Sequence, residues 1–380
     1  MSNIIRRLFK LDLPPGKSAF LWGPRKVGKS HWIRHHLQGH TLIDLLKTDT
    51  YAEYASRPHL LRERILKKSP LVVIDEVQKI PALLDEVHWL IENRGISFLL
   101  TGSSARKLKK GHANLLGGRA WKRQMTPLSF QEVSGFDLES VMVSGLLPPH
   151  FLSPNPVEDL RAYVADYLKE EIAAEALTQN IPAFSEFLRV AAVTSSELLN
   201  YANVARESGV TPKVVRTYFD ILEDTYLGFR IPPWKKSVNR RLIETEKFYL
   251  FDVGLANYLC RRQPKMGTPE FGKSFEHYLL MELKAFQAYR QADMPIYYWR
   301  TSTNQEVDFI LGEMEVSIEV KGSSRVHEAD TKSLKILGDE NSLRHSYLVS
   351  LEKEPRYFSK TLTGLHWRDF LDRLWAGKIL

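Results

Sequence analysis

Gly23-Pro24-Arg25-Lys26-Val27-Gly28-Lys29-Ser30, entered from the apolar run Ala19-Phe20-Leu21-Trp22, decides how the rest of the chain is read. The apolar run predicts a strand, and His31-Trp32-Ile33-Arg34 continues as a helix that starts near Gly28. Between them lies the G-x-x-x-x-G-K-S spacing of a phosphate-binding loop. Its two glycines let the backbone fold tightly, so that N–H groups converge on an anion. The helix behind adds its positive N-terminal end. In such a loop Lys29 reaches the β- and γ-phosphates and the Ser30 hydroxyl ligates Mg²⁺. All eight residues are therefore assigned to nucleotide binding.

A phosphate-binding loop requires a carboxylate on a neighbouring strand. Leu71-Val72-Val73-Ile74-Asp75-Glu76 supplies it: four apolar residues predict a strand buried on both faces, with Asp75 at its carboxyl end to hold Mg²⁺. Glu76 follows and is placed to activate the attacking water. A third strand is expected at Ile96 to Ser103, where Ser103, with Thr101 in reserve, would hydrogen-bond that water or the γ-phosphate. After it come Leu115-Leu-Gly-Gly-Arg119, a strand from Ala120 to Thr126, and Pro127-Leu-Ser-Phe130. Arg119 either reaches the γ-phosphate of a neighbouring subunit or merely closes a Gly-Arg turn.

These motifs resemble the AAA+ ATPases, and in particular the prokaryotic predicted-ATPase group with a C-terminal nuclease-like domain; the likeness covers nearly the whole chain. The resemblance implies ATP and Mg²⁺ as cofactors, and a nucleotide sandwiched between subunits of a ring, a hexamer. It also implies work on DNA, with branched or junction DNA in recombination or repair as the substrate class.

Composition agrees with a soluble protein of several domains: 380 residues, 43% hydrophobic and 26% charged. The formal net charge of +8 favours a polyanionic partner, nucleic acid first. A lone cysteine, Cys260, permits no internal disulfide. With no apolar run of membrane-spanning length and no signal-peptide pattern, a cytoplasmic protein without a membrane partner is expected. His31 and His35 share a helix face but lack a completing carboxylate or cysteine, so they read as surface histidines. The run Arg106-Lys-Leu-Lys-Lys110 reads as a solvated face.

The fold class expected is α/β in four parts. They are a P-loop AAA+ parallel-sheet core (1–143), a linker and helical lid (144–190), a winged-helix-like segment (191–260) and an α/β nuclease-like domain of the PD-(D/E)xK type (261–380). In the third part, Tyr201-Ala-Asn-Val-Ala-Arg206 predicts a short helix. Thr211-Pro212 then caps a second one, with Val214, Val215, Tyr218, Phe219 and Leu222 inward. Lys213 and Arg216 face outward, and a wing carrying Trp234, Lys235, Lys236, Arg240 and Arg241 completes a candidate DNA surface. The alternative is a helical packing unit that binds nothing.

In the fourth part Phe271 opens an amphipathic helix through Tyr289, with 275, 278, 279, 283 and 286 as its buried stripe. Strands follow at Glu306 to Ile310 and Glu315 to Lys321. A turn centred between Glu313 and Met314 places Asp308 opposite Glu319 and Glu306 opposite Lys321. Two such carboxylates lie close enough to share a divalent cation, with Glu276 on the preceding helix as a further ligand and Lys321 orienting water. The constellation resembles the PD-(D/E)xK nuclease core. Cleavage and a retained fold used for binding or assembly both remain open.

Three activities compete: an ATP-driven motor on DNA, a Mg²⁺-dependent nuclease with an ATPase loader, and a nucleotide-gated DNA-binding regulator.

Overall fold

The computed structural model describes residues 5–65, 71–106, 108, 116–133, 135–168, 180–235 and 242–380. Its residues fall into two compact units. Met1–Leu128 with Ile221–Leu227 form the first, and Ser129–Asp220 with Gly228–Leu380 the second.

The first unit is built on five strands: β1 (Ser18–Trp22), β2 (Thr41–Asp44), β3 (Val72–Asp75), β4 (Phe98–Gly102) and β5 (Ala120–Gln124). They lie in the order β2-β3-β4-β1-β5, every pair parallel. A parallel sheet is covered on both faces, which is why β1, β3 and β4 are buried along their full length and read as continuous apolar runs. Phe20, Ile74, Val87, Leu90, Phe98 and Leu100 sit in its core. Register aligns Trp22 with Gly102 and Ile74 with Leu100. The loop after β1, Asp75 on β3 and Ser103 after β4 therefore emerge at one edge, the carboxyl end of the strands, where open α/β sheets bind ligands. Strand β2 escaped the sequence reading because Thr41 and Leu42 are exposed on this edge strand.

The segment Ile221–Leu227 completes this unit from far along the chain. The Tyr226 ring stacks 6.2 Å from Trp22. Asp224 pairs with Arg106 at 2.9 Å, and the Asp224 carbonyl accepts from Ala105 N at 3.1 Å. Arg106 is thus a paired, largely buried side chain and not part of a solvated basic face; Lys107, Lys109 and Lys110 lie outside the described residues.

In the second unit a six-stranded sheet runs β12-β13-β11-β10-β9-β8, formed by β8 (Ile296–Arg300), β9 (Glu306–Leu311), β10 (Val316–Lys321), β11 (His345–Ser350), β12 (Arg356–Ser359) and β13 (Leu362–His366). The helix Pro269–Arg290 packs on it and is buried around most of its circumference, His277 and Glu282 included, where a single stripe was expected. Helices Leu138–Ser144, Val253–Leu259 and Trp367–Trp375 cover the rest of it.

Glu282 accepts from Phe130 N at 2.8 Å and Trp375 Nε1 at 3.1 Å. Burial pushes its carboxyl up to about 8. The folded state then holds a proton that the unfolded chain releases near pH 4.5. Stability from this group is therefore full below that value and is lost as pH rises toward 8. Melting of the wild type should fall across that window, and Glu282→Gln should remove most of the slope. An unchanged slope in the variant would refute the assignment.

The middle of this unit holds helices Ile181–Val193 and Tyr201–Ser208 and the helix Pro212–Asp224, whose final turn is counted with the first unit. Asn200 caps the second of these, Gly209 ends it in the left-handed conformation, and Thr211 Oγ1 accepts from Val214 N at 3.4 Å. Val215, Tyr218, Phe219 and Leu222 are buried as expected, joined by Ile221, while Val214 is half-buried. An antiparallel hairpin follows, β6 (Gly228–Ile231) with β7 (Lys247–Leu250).

The connection between β6 and β7 departs from the expected wing. Trp234 is buried beside Trp299, Val307 and Leu334, and its backbone N–H donates to Tyr298 O at 2.7 Å. Pro233 and Leu242 bridge to Tyr298 and Thr301. An edge strand leaves one row of backbone groups unpaired, and a tryptophan has a large apolar area to bury. Both needs are met by laying Pro233, Trp234 and Leu242 against β8 and Thr301. Lys235 is exposed, and Lys236, Arg240 and Arg241 lie outside the described residues.

Candidate functional site

The loop at residues 23–30 takes its shape from backbone that only certain residues tolerate. At Gly23, with φ 151°, a Cβ would stand 2.2 Å from Met125 O. Only glycine lets the end of β1 pass this close to the chain leaving β5. Lys26 is left-handed at φ 62°, and Gly28, at φ 98°, is the N-cap of the helix Lys29–His36 without any side chain capping it. A helix N-terminus without a side-chain cap is the arrangement that receives phosphate. Lys29 is buried, and its ammonium donates to Gly23 O at 2.6 Å and Pro24 O at 3.0 Å. Arg7 braces the loop from outside the motif: it donates to Val27 O at 2.5 Å and Thr126 O at 2.7 Å. No pattern around Arg7 in the sequence announced this.

Ser30 Oγ donates to Asp75 Oδ2 at 2.7 Å, across 45 residues of chain, and the Thr101 hydroxyl donates to the other oxygen, Oδ1. Asp75 is buried between them. Glu76, beside it, occupies the left-handed region at φ 59°, ψ 47°, a conformation that costs a non-glycine residue about 1 kcal/mol or more. Its Oε2 accepts from Gln78 Nε2 at 2.5 Å and from Ser103 Oγ at 3.4 Å. Gln78 also donates to Ser103 Oγ at 3.2 Å. Ser103 and its reserve Thr101 therefore stand against the two carboxylates, both fully buried. Gln78 was not singled out from the sequence. Its place two residues after Glu76 on the tight turn Val77–Lys79 was the available signal.

Arg119 follows the short turn Leu116–Gly118 and is about one-third exposed, its Nε bonded to Glu92 on the helix Leu83–Arg94. The His31 and His35 rings stack 4.0 Å apart on an exposed face, as surface histidines.

In the C-terminal sheet, Val316 pairs with Leu311, Ser317 with Ile310 and Ile318 with Phe309. Continued by one and by three residues, this register sets Glu319 opposite Asp308 and Lys321 opposite Glu306, as the turn at Gly312 and Met314 predicts. Asp308 Oδ2 accepts from Val320 N at 2.8 Å. Glu319 Oε1 accepts from Lys321 Nζ at 2.5 Å, while its Oε2 is buried with no hydrogen-bond partner. Burial, and then the repulsion of Glu319, raise the Asp308 carboxyl well above its usual range; burial likewise lifts Glu319 to about 7.

Glu276 belongs to the same cluster, its charge adding to the rise of both carboxyls, and has partners of its own. It accepts from Tyr249 Oη at 2.5 Å and pairs with Lys247 at 3.2 Å. That ammonium, on a side chain 3% exposed, also pairs with Glu306 at 2.5 Å, which in turn pairs with Arg300 at 2.9 Å. Among the described residues no group of three or more His, Cys, Asp or Glu stands ready to hold a metal ion. The cluster thus does not fit a cation cage completed by Glu276, because a resident lysine already neutralises that carboxylate. Lys213, Arg216 and Lys235 are exposed, and Arg216 lies 4.3 Å over the Tyr201 ring. No helix among the described residues is long and apolar enough to cross a membrane.

Three family models match in succession. Residues 16–134 match one described as AAA domain, 135–266 a domain of unknown function (DUF8612) and 271–369 a domain of unknown function (DUF4143). Uncharacterized proteins of Mycobacterium bovis and Mycobacterium tuberculosis are each 28% identical over 251 residues, 63% of this chain and 55% of theirs. The chain therefore spans about half the length of these curated relatives. An uncharacterized protein of Methanocaldococcus jannaschii is 22% identical over 84% of this chain and 78% of its own. Among solved structures, a replication initiator DnaA bound to AMPPCP and single-stranded DNA aligns at TM-score 0.27 and 13% identity, over 56% of this chain and 84% of that one. The Aeropyrum pernix ORC2 protein, in ADPNP and ADP complexes, aligns at TM-score 0.21 and 12% identity, over 66% and 89%. Residues 16–134, with their parallel sheet and phosphate loop, are thus similar to the AAA domain family, and residues 271–369 to the DUF4143 family.

Proposed function

We propose that the protein hydrolyses ATP and uses the turnover to act on DNA. The observation that carries this is the meeting of Ser30 and Asp75 at 2.7 Å beneath an uncapped helix N-terminus. Residues 23–30 cradle the phosphates through backbone N–H groups, and Lys29 pairs with the outer ones. Ser30 and Asp75 are the residues that would hold Mg²⁺, which supplies charge neutralisation on the phosphate oxygens. Glu76 accepts the proton of the attacking water. Arg119 reaches a neighbouring subunit's nucleotide in a homo-oligomeric ring, a hexamer by family resemblance; its pairing with Glu92 within the chain has to break first.

The net charge of +8 and the exposed Lys213, Arg216 and Lys235 support a DNA partner. A steady-state ATPase assay with and without duplex, single-stranded and branched DNA tests the whole reading. Turnover should require Mg²⁺ and rise with DNA. Glu76→Gln should still bind ATP while hydrolysing it about 10²- to 10³-fold more slowly. Full turnover in that variant would remove the mechanism. DNA affinity should fall steeply with salt; a flat response would point to a protein partner.

Cleavage by the C-terminal cluster is the rival, and the register of Asp308 with Glu319 favours it. The lysine between Glu276 and Glu306 weighs against it. Labelled DNA incubated with Mg²⁺ or Mn²⁺ decides: cutting lost in Asp308→Ala would support the nuclease, and intact DNA would leave a binding or assembly role for this domain.

A further inference from the structure

We infer that Gln78 is a positioning residue for the general base, fixing the Glu76 carboxylate by one oxygen so that the other is left for the attacking water. The inference rests on the ATPase reading above. Both donors that reach the carboxylate, Gln78 Nε2 at 2.5 Å and Ser103 Oγ at 3.4 Å, go to the same atom, Oε2. Among the described residues Oε1 carries no hydrogen bond. A carboxylate held by one oxygen cannot rotate, and its second oxygen keeps a fixed bearing.

The amide can point only one way. Turned over, its carbonyl would face the Glu76 carboxylate, acceptor against acceptor. In the orientation found, Gln78 Oε1 is buried without a partner, against the Gly102 backbone and the Trp22 ring. A Cβ at Gly102 would come within 2.4 Å of that oxygen and 2.7 Å of the ring, so the bare glycine at the end of β4 is what makes room for the amide. An unpaired buried acceptor detracts from stability. Gln78 is therefore poorly explained as a packing residue and well explained as the donor to Glu76. Ser103 belongs to the same clamp, donating to Glu76 and accepting from Gln78, in place of the direct contact with water or phosphate read from the sequence.

Gln78→Met tests this, because it keeps the length of the side chain while removing the donor and the orphaned acceptor together. The full-length variant should melt no lower than the wild type. Its KM for ATP and its affinity for a fluorescent ATP analogue should stay within about twofold, while kcat falls about 10- to 100-fold. Gln78→Ala should fall equally in kcat. Adding Gln78→Met to Glu76→Gln should slow the enzyme no further, since the base is already gone. If the wild type turns over ATP and Glu76→Gln stops it, yet Gln78→Met keeps kcat within twofold, the positioning role is refuted and the ATPase reading survives. A further loss of rate in the Glu76→Gln background also refutes it. A wild type that neither binds nor hydrolyses ATP overturns both.

Discussion

Lys29→Ala should abolish ATP-dependent turnover, lowering it by about 10²- to 10³-fold, the loss seen when one preorganised charge donor is taken from a buried site. Lys29 is 5% exposed, and its ammonium rests on two carbonyls of its own loop, Gly23 O and Pro24 O. A triphosphate offers it a far stronger acceptor than either carbonyl. Lys29→Arg should fail nearly as badly, because a planar fork does not replace a compact point charge in a tight loop. Equilibrium titration with an unhydrolysable ATP analogue in Mg²⁺ should show weakened binding in both variants. Wild-type turnover in Lys29→Ala would mean that this loop binds no nucleotide that matters to the protein.

Lys247→Ala should cause the largest loss of stability of any single change in the second unit. Its ammonium is the shared counter-ion of Glu276 and Glu306. Removing one member of a buried ion pair strands the others, at about 3–5 kcal/mol. In a unit of this size that lowers the melting temperature by about 10 °C. The double variant Lys247→Met with Glu276→Gln should recover most of it, because the carboxylate that remains, Glu306, keeps its pairing with Arg300. Thermal melts of the wild type, Lys247→Met, Glu276→Gln and the double variant give the coupling directly. A single variant within about 0.5 kcal/mol of wild type would mean that the cluster reaches solvent and that water, rather than lysine, balances it.

Local pattern carried a large share of this fold. The P-loop and the apolar run before Asp75 declare themselves in consecutive residues. Turn geometry alone was enough to set Asp308 opposite Glu319. What was missed depends on partners far away in the chain. Arg7 is one more arginine until Val27 O and Thr126 O are brought to it. Trp234 beside a basic run looks like a wing until an edge strand needs covering. Lys247 opens a strand, and nothing nearby shows that its ammonium will sit among carboxylates from residues 276 and 306. Glu276 had the right type and order for a ligand, but its partners come from β7, before the helix that carries it.

The split composition of the first unit bears on how it is made. Trp22 and Arg106 wait for Tyr226 and Asp224, which are synthesised 204 and 118 residues later, at roughly 5–20 residues per second. The nucleotide half is therefore finished only after much of the neighbouring half has emerged. A fragment ending at residue 134 would lack its last pieces, and supplying residues 221–227 as a separate peptide should raise the melting temperature of that fragment.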